Sequence, residues 1–188
     1  MPAIDTQQSL TAMPAYIHYT PSERFNIHLE FDYPGSWVFS EEKIQGTGII
    51  VIGLGDPRLL NVPTRVPNEP HGTPSDFGRI SIYIQPLETN QTLDNFIGSH
   101  KQGHNNASWI KALTDYQITI DGYNAQVFEY QIEPIDNNGY TSTMFEKDIF
   151  FVINDQIYQI AFTVAEKEHG SEFERGYEYF FNNIKIVP

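Results

Sequence analysis

The 188-residue chain contains no cysteine. Disulfide bonds, thiolate nucleophiles, cysteine-ligated zinc and iron–sulfur clusters are therefore all excluded. The sequence also lacks an uninterrupted apolar run of about 18 residues, the minimum for a helix that spans a bilayer. These absences exclude cysteine-based redox and metal sites, and they exclude a membrane-spanning helix.

Basic residues are few compared with acidic ones. Lysine and arginine together number 11, against 24 acidic residues, so the formal net charge is −13. Nucleic acids and anionic membranes bind largely through Lys and Arg that replace counterions, and no basic stripe is visible. Neither is expected as a partner. The negative charge suits a soluble surface and is compatible with cations or basic proteins as ligands.

Aromatic residues are abundant, with 13 Phe and 11 Tyr. This composition favours strands that bury one face of a sheet. We expect residues 1–15 to form a flexible tail, because they are polar and contain small residues and prolines. Residues 16–188 are long enough for a single domain with a sizeable core.

Alternation of apolar and polar residues predicts several strands. The segment "RFNIHLEFDYP" (24–34) alternates regularly and predicts one half-buried strand. The segment "FFVINDQIYQIAF" (150–162) contains two apolar runs around Asn154 and Asp155, which tolerate positive φ in a tight turn. It predicts a hairpin of 143–153 with 156–165, and we interpret that hairpin as scaffold.

Two helices are expected. In 92–104, Thr92 can cap the first turn, and an apolar face follows at helical spacing. Near the C-terminus, Ser171 and Glu174 form a capping-box pattern before a strongly amphipathic segment. Because the strands succeed one another with few crossovers, the fold class is α+β, an antiparallel sheet flanked by helices.

Five motifs in order carry a resemblance over roughly residues 16–187. They are "FDYPGSW", a helix after "TL", "DGYNAQVFEYQ", "FFVINDQIYQIAFTV" and "FERGYEYFFNNIKI". This order resembles the PsbP-like superfamily, which includes extrinsic photosystem II subunits, a yeast Ran-binding protein and exported bacterial lipoproteins. The resemblance implies an α/β/α sandwich without catalytic activity in general. Since plant PsbP is thought to dock through basic side chains, the acidic chain fits the exported bacterial branch better.

The proline-rich loop 56–78 holds five prolines and no helical or strand period. A connection this long in a compact domain is usually either functional or disordered. Its apolar residues could dock a protein partner, because proline-rich extended segments are used in this way. The candidate partner-binding residues are Leu59, Leu60, Val62, Val66 and Phe77.

His100 and His104 are the candidate metal ligands. Their spacing of four residues places both imidazoles on one face of the predicted helix. The H-E-x-x-H zinc signature is absent, because Lys101 and Gln102 follow His100. The sequence identifies no third ligand. A divalent cation is one hypothesis, and two polar histidines at a fraying helix end is the other.

No catalytic motif is recognisable. The G-x-S-x-G elbow and both glycine-rich phosphate loops are absent. The central strands offer almost no polar groups that burial could tune. We therefore expect a non-enzyme without a required cofactor.

The first hypothesis is a PsbP-like accessory domain that binds a protein complex. The alternative is a carrier of a small ligand or metal ion in a groove between helix and sheet. The resemblance favours a location outside the cytoplasm, with an export signal or lipid anchor upstream, although a cytoplasmic location also fits. The sequence identifies neither the partner nor the oligomeric state.

Overall fold

The computed structural model describes residues 15–58, 78–134, 142–166 and 172–187. Within these ranges the chain forms ten strands and two helices, as the α+β prediction requires. The first elements are β1 (Tyr16–Tyr19), β2 (Leu29–Pro34), β3 (Val38–Lys43), β4 (Ile50–Gly55) and β5 (Arg79–Pro86). The later ones are α1 (Leu93–Asn105), β6 (Ile110–Ile120), β7 (Tyr123–Ile132), β8 (Met144–Ile153), β9 (Gln156–Ala165), α2 (Glu172–Asn182) and β10 (Lys185–Ile186).

Some predictions lie outside the described residues. Residues 1–14 of the predicted tail do so, as does Ser171 of the predicted capping box. The proline-rich loop is described only at its ends, where the Asp56 amide donates to the Gly78 carbonyl at 3.1 Å. Its interior contains every candidate partner-binding residue, so that hypothesis stays a prediction: Leu59, Leu60, Val62, Val66 and Phe77.

The hairpin of β8 and β9 forms as predicted. Asn154 and Asp155 have φ angles of 47° and 59°, the left-handed pair that a two-residue type I′ turn requires. The register pairs Ile153 with Gln156 beside the turn and Met144 with Ala165 at the far end. The tight turn therefore fixes which side chains of both strands share a face.

A seven-stranded antiparallel sheet forms the centre of the molecule, in the order β3-β4-β5-β9-β8-β7-β6. A separate three-stranded sheet has the order β1-β2-β10. The first and last strands of the described residues, β1 and β10, therefore both lie in the small sheet, and the strands of the larger sheet come between them in sequence.

The segment 24–34 is only partly a strand. Its strand, β2, begins at Leu29 and not at Arg24. The Phe25 amide donates to the Ser22 carbonyl at 3.2 Å, which commits this part of the chain to a turn. Ile27 is nevertheless buried, so the alternation correctly identified a core residue that lies outside the strand.

One side of the large sheet, which we call the apolar face, is covered by α2 and the small sheet. Phe162 of the large sheet stacks on Tyr177 of α2 with ring centroids 3.9 Å apart. Phe180 meets Phe31 of β2 edge to face at 5.0 Å. The close packing of α2 against Trp37 requires a glycine at position 176, since a Cβ there would lie 2.5 Å from the Trp37 ring. This face holds the main hydrophobic core.

The opposite side, which we call the α1 face, is covered in part by α1. The helix begins after Thr92, whose side chain accepts a hydrogen bond from the Asn95 amide at 3.2 Å. Ile97 packs with Phe128 and Phe150 of the sheet. Because side chains of a strand alternate between faces, Asp148 of β8 shares the α1 face with Phe150.

Candidate metal centre

His100 and His104 lie on one face of α1, as the sequence predicted. The helix continues to Asn105 despite Gly103. The two imidazole rings meet edge to face, with centroids 4.3 Å apart. The spacing of four residues therefore brings two nitrogen ligands together against the sheet.

Asp148 completes a cluster with the two histidines. Its side chain is completely buried, and its Oδ2 lies 2.8 Å from Nε2 of His100. One ligand atom from each of the three residues lies within 4.8 Å of the other two. Gln159 of β9 donates from Nε2 to the other oxygen, Oδ1, at 3.0 Å. The carboxylate is thus held on both sides, by the helix and by the neighbouring strand.

His104 has an unsatisfied ring nitrogen. Its Nδ1 is buried and has no hydrogen-bond partner among the described residues. The ring stacks on Tyr130 of β7, with centroids 4.5 Å apart and planes at 22°. Burial lowers the pKa of His104, and the charge of His100 lowers it further, although Asp148 and the backbone of His100 act in the opposite direction. The neutral imidazole thereby favoured can offer a nitrogen lone pair.

This donor set matches a transition-metal site. Two imidazole nitrogens and one carboxylate oxygen are common zinc ligands, and a catalytic or exchangeable site needs only three from the protein. Tetrahedral coordination at about 2.1 Å separates neighbouring donors by about 3.4 Å. The observed spread of up to 4.8 Å needs only small side-chain rotations to reach that value.

A purely structural bridge is the competing interpretation. A hydrogen bond between His100 and buried Asp148 would by itself tie α1 to the sheet, and breaking a buried pair is costly. That interpretation accounts for His100, Asp148 and Gln159. It does not account for His104, whose buried Nδ1 contributes nothing to such a bridge.

A second carboxyl group lies on the same face. Burial raises the pKa of Glu146, and the Asp148 carboxylate raises it further. Arg79 and a hydrogen bond with Thr163 act in the opposite direction without cancelling the shift. Glu146 therefore holds its proton more tightly than a solvent-exposed glutamic acid, which makes it a poorer cation ligand than an ionised carboxylate.

The sequence identified two of the three residues and missed Asp148. The expectation that central strands lack buried polar groups is wrong, because Asp148 and Thr163 are buried in β8 and β9. A signal was present in "MFEKDIFFVI", where a charged residue occupies the same face as Phe150. The pattern could not show which helix would cover that face.

No protein-family model matches the sequence, and no curated protein sequence matches it. Solved structures do. The solution structure of cyanobacterial PsbP (CyanoP) from Synechocystis sp. PCC 6803 superposes with a TM-score of 0.58 at 14% identity, covering 94% of this chain and 95% of that one. The chain has the PsbP-like fold. The fold predicted by resemblance is thereby confirmed.

Two further solved structures are similar to this chain. LpqN of Mycobacterium tuberculosis, involved in cell envelope biogenesis, gives a TM-score of 0.59 at 12% identity over 92% of both chains. The Ran-binding protein Mog1p of Saccharomyces cerevisiae gives 0.48 at 10% identity, over 85% of this chain and 90% of that one. Among the described residues, no helix combines the length and hydrophobicity needed to cross a membrane.

Proposed function

We propose that this PsbP-like domain is a non-catalytic binding protein that holds a divalent transition-metal ion between α1 and the sheet. His100, His104 and Asp148 are its ligands. The observation that carries the proposal is the group of three potential ligand atoms within 4.8 Å of one another. It is supported by the buried Nδ1 of His104, which has no hydrogen-bond partner among the described residues. A buried polar atom without a partner is unfavourable, and a metal ion supplies the missing partner.

The donor chemistry selects the class of metal. Two imidazoles and one carboxylate suit Zn²⁺ and its neighbours Co²⁺, Ni²⁺ and Cu²⁺. Ca²⁺ and Mg²⁺ prefer oxygen ligands in larger number and are not expected to bind. This proposal develops the carrier hypothesis, because the ligands lie between helix and sheet where a groove was expected.

A zinc titration of the thermal unfolding midpoint tests the proposal. Zinc at one hundred times its Kd should stabilise the metal-free protein by about 2.7 kcal/mol. The double variant His100→Gln, His104→Gln should lose that gain. His18→Gln is the matched control, because His18 is an exposed histidine paired with Asp32 at 2.7 Å. Binding of Co²⁺, followed by its visible absorption, gives a second readout. An equal response of the double variant and the wild type, or no response in either, would contradict the proposal.

An accessory role outside the cytoplasm is a second proposed function. It is supported by the likeness of the fold to CyanoP and to LpqN, the latter involved in cell envelope biogenesis. The acidic net charge of −13 favours a partner with a basic surface. Fractionation of native cells that express the full gene should place the protein in the envelope, with a stoichiometric partner after affinity capture. Recovery from the cytosol, alone, would contradict it.

A further inference from the structure

A cleft of about 320 Å³ opens beside α1, next to the two last strands of the large sheet, β7 and β6. Its size lies at the lower end of the range for small-molecule sites. Its walls combine apolar and polar side chains: Lys101, Leu113, Thr114, Asp115, Phe128 and Tyr130. The cleft shares Tyr130 with the metal centre, but no proposed metal ligand lines it.

An irregularity in β6 shapes this cleft. The register with β7 shifts between Ala112 and Thr114, so Leu113 has no cross-strand partner there. Leu113 is 46% exposed, although it is a large apolar residue. Bulges of this kind redirect side chains and are common beside binding sites. The local sequence therefore leaves an apolar wall open to solvent.

The charges at the cleft compensate each other. The Lys101 ammonium group donates to the Asp115 carboxylate, and Gln126 donates to the same carboxylate. Lys101 Nζ also lies 4.1 Å from the centroid of the Phe128 ring. Because Lys101 is paired with Asp115, the charged side chains that line the cleft offer no net charge to a ligand.

Tyr130 supplies the polar group that lacks a partner. Its side chain is 3% exposed, and its hydroxyl makes no hydrogen bond with any described residue. Buried hydroxyls are almost always hydrogen-bonded. Tyr130 lines the cleft, and its buried hydroxyl lacks an acceptor among the described residues, so a ligand that reaches this group through the cleft would supply the missing hydrogen-bond acceptor.

We propose that this cleft binds a small, uncharged, aromatic molecule whose carbonyl oxygen accepts a hydrogen bond from the Tyr130 hydroxyl. The ring of the ligand contacts Leu113 and Phe128, and the paired charges of Lys101 and Asp115 disfavour a charged analogue. This site is distinct from the metal centre and does not require the metal.

Benzamide is a suitable probe, with toluene and benzoate as analogues that lack the acceptor or add a charge. In EDTA-treated, ¹⁵N-labelled protein, benzamide should produce saturable shifts of the Lys101, Leu113 and Thr114 amides. Tyr130→Phe should weaken binding about fivefold or more, since it removes one hydrogen bond. Tyr116→Phe is the matched control, because the Tyr116 hydroxyl on β6 is occupied by Glu129 at 3.0 Å.

Leu113→Glu places a charge in the apolar wall at an exposed position and should also weaken binding, without endangering the fold. Absence of saturable shifts at the three amides would overturn the proposal. Equal affinity of wild type and Tyr130→Phe, or tighter binding of toluene than of benzamide, would overturn the role of the hydroxyl and thus the ligand class. The zinc titration is independent of these outcomes, so either hypothesis can fail alone.

Discussion

The two faces of the seven-stranded sheet are built from the same strands but differ in chemistry. The apolar face is filled with aromatic and aliphatic side chains beneath α2 and the small sheet. The α1 face buries Asp148 and Thr163 among Phe128 and Phe150. Burial of a charge is costly unless it is compensated, so the difference separates a face that stabilises the fold from one that can hold a ligand.

The largest expected effect is on the apolar face. Phe180→Ala removes a completely buried ring that contacts Phe31, and such a change costs about 3–5 kcal/mol. Urea unfolding should show this loss, with zinc binding per folded molecule unchanged. Phe181→Ala, at a partly buried position of the same helix, should cost clearly less. Equal losses would mean that the apolar face is not packed as described.

Asp148→Ala is the corresponding change on the α1 face. It removes the acceptor of His100 and of Gln159, and leaving these donors unpaired should cost about 1–3 kcal/mol. The stabilisation by zinc should disappear as well. Asp32→Asn, at a half-buried residue paired with the exposed His18, should change stability by about 0.5 kcal/mol or less. Retention of the zinc response in Asp148→Ala would remove this residue from the proposed ligands.

Two carboxyl groups should respond to pH in opposite directions. Burial and Asp148 raise the pKa of Glu146 from 4.5 to about 8, so the folded state holds this proton more tightly than the unfolded state. The stability it contributes is present below about pH 4.5 and is lost as the pH rises toward 8. Glu146→Gln should therefore gain stability relative to wild type as the pH rises from 5 to 8, which urea unfolding at the two pH values measures.

Asp56 is the matched control for that experiment. Burial alone would raise its pKa, but hydrogen bonds from Arg58 and the charge of Arg58 outweigh burial and lower it. Its contribution is present above pH 3.8 and is lost as the pH falls through the folded pKa. Asp56→Asn should therefore lose stability at pH 7, the reverse of Glu146→Gln. Parallel pH profiles for the two variants would contradict the assigned environments.

The smallest expected effect is at the turn that keeps the two faces distinct. A one-residue slip in β8 would exchange the side chains of the two faces. Asp155 has a φ of 59°, which glycine adopts more easily. Asp155→Gly should stabilise the protein by about 0.5 kcal/mol, as a small rise in the unfolding midpoint. Asp155→Val, a β-branched residue at positive φ, should destabilise it. A gain from valine would contradict the turn type.

Local patterns in the sequence determined the elements of this protein. Alternation in 150–162, positive φ tolerance at Asn154 and Asp155, and the cap at Thr92 each depend on neighbouring residues, so the hairpin and α1 were predictable. The spacing of His100 and His104 is equally local, which is why two of the three residues in the cluster were predicted to lie together. The interior of the proline-rich loop stays a prediction.

Only the tertiary structure decided where these elements meet. Asp148 is 48 residues from His100 along the chain, and no period of 2.0 or 3.6 connects them. Their contact follows from the order of strands in the sheet and from the half of it that α1 covers. The same holds for the cleft, whose bulge at Leu113 is a feature of the register between β6 and β7. The backbone geometry of a strand or helix determines which of its residues share a face. Which other element covers that face depends on how distant parts of the chain pack together.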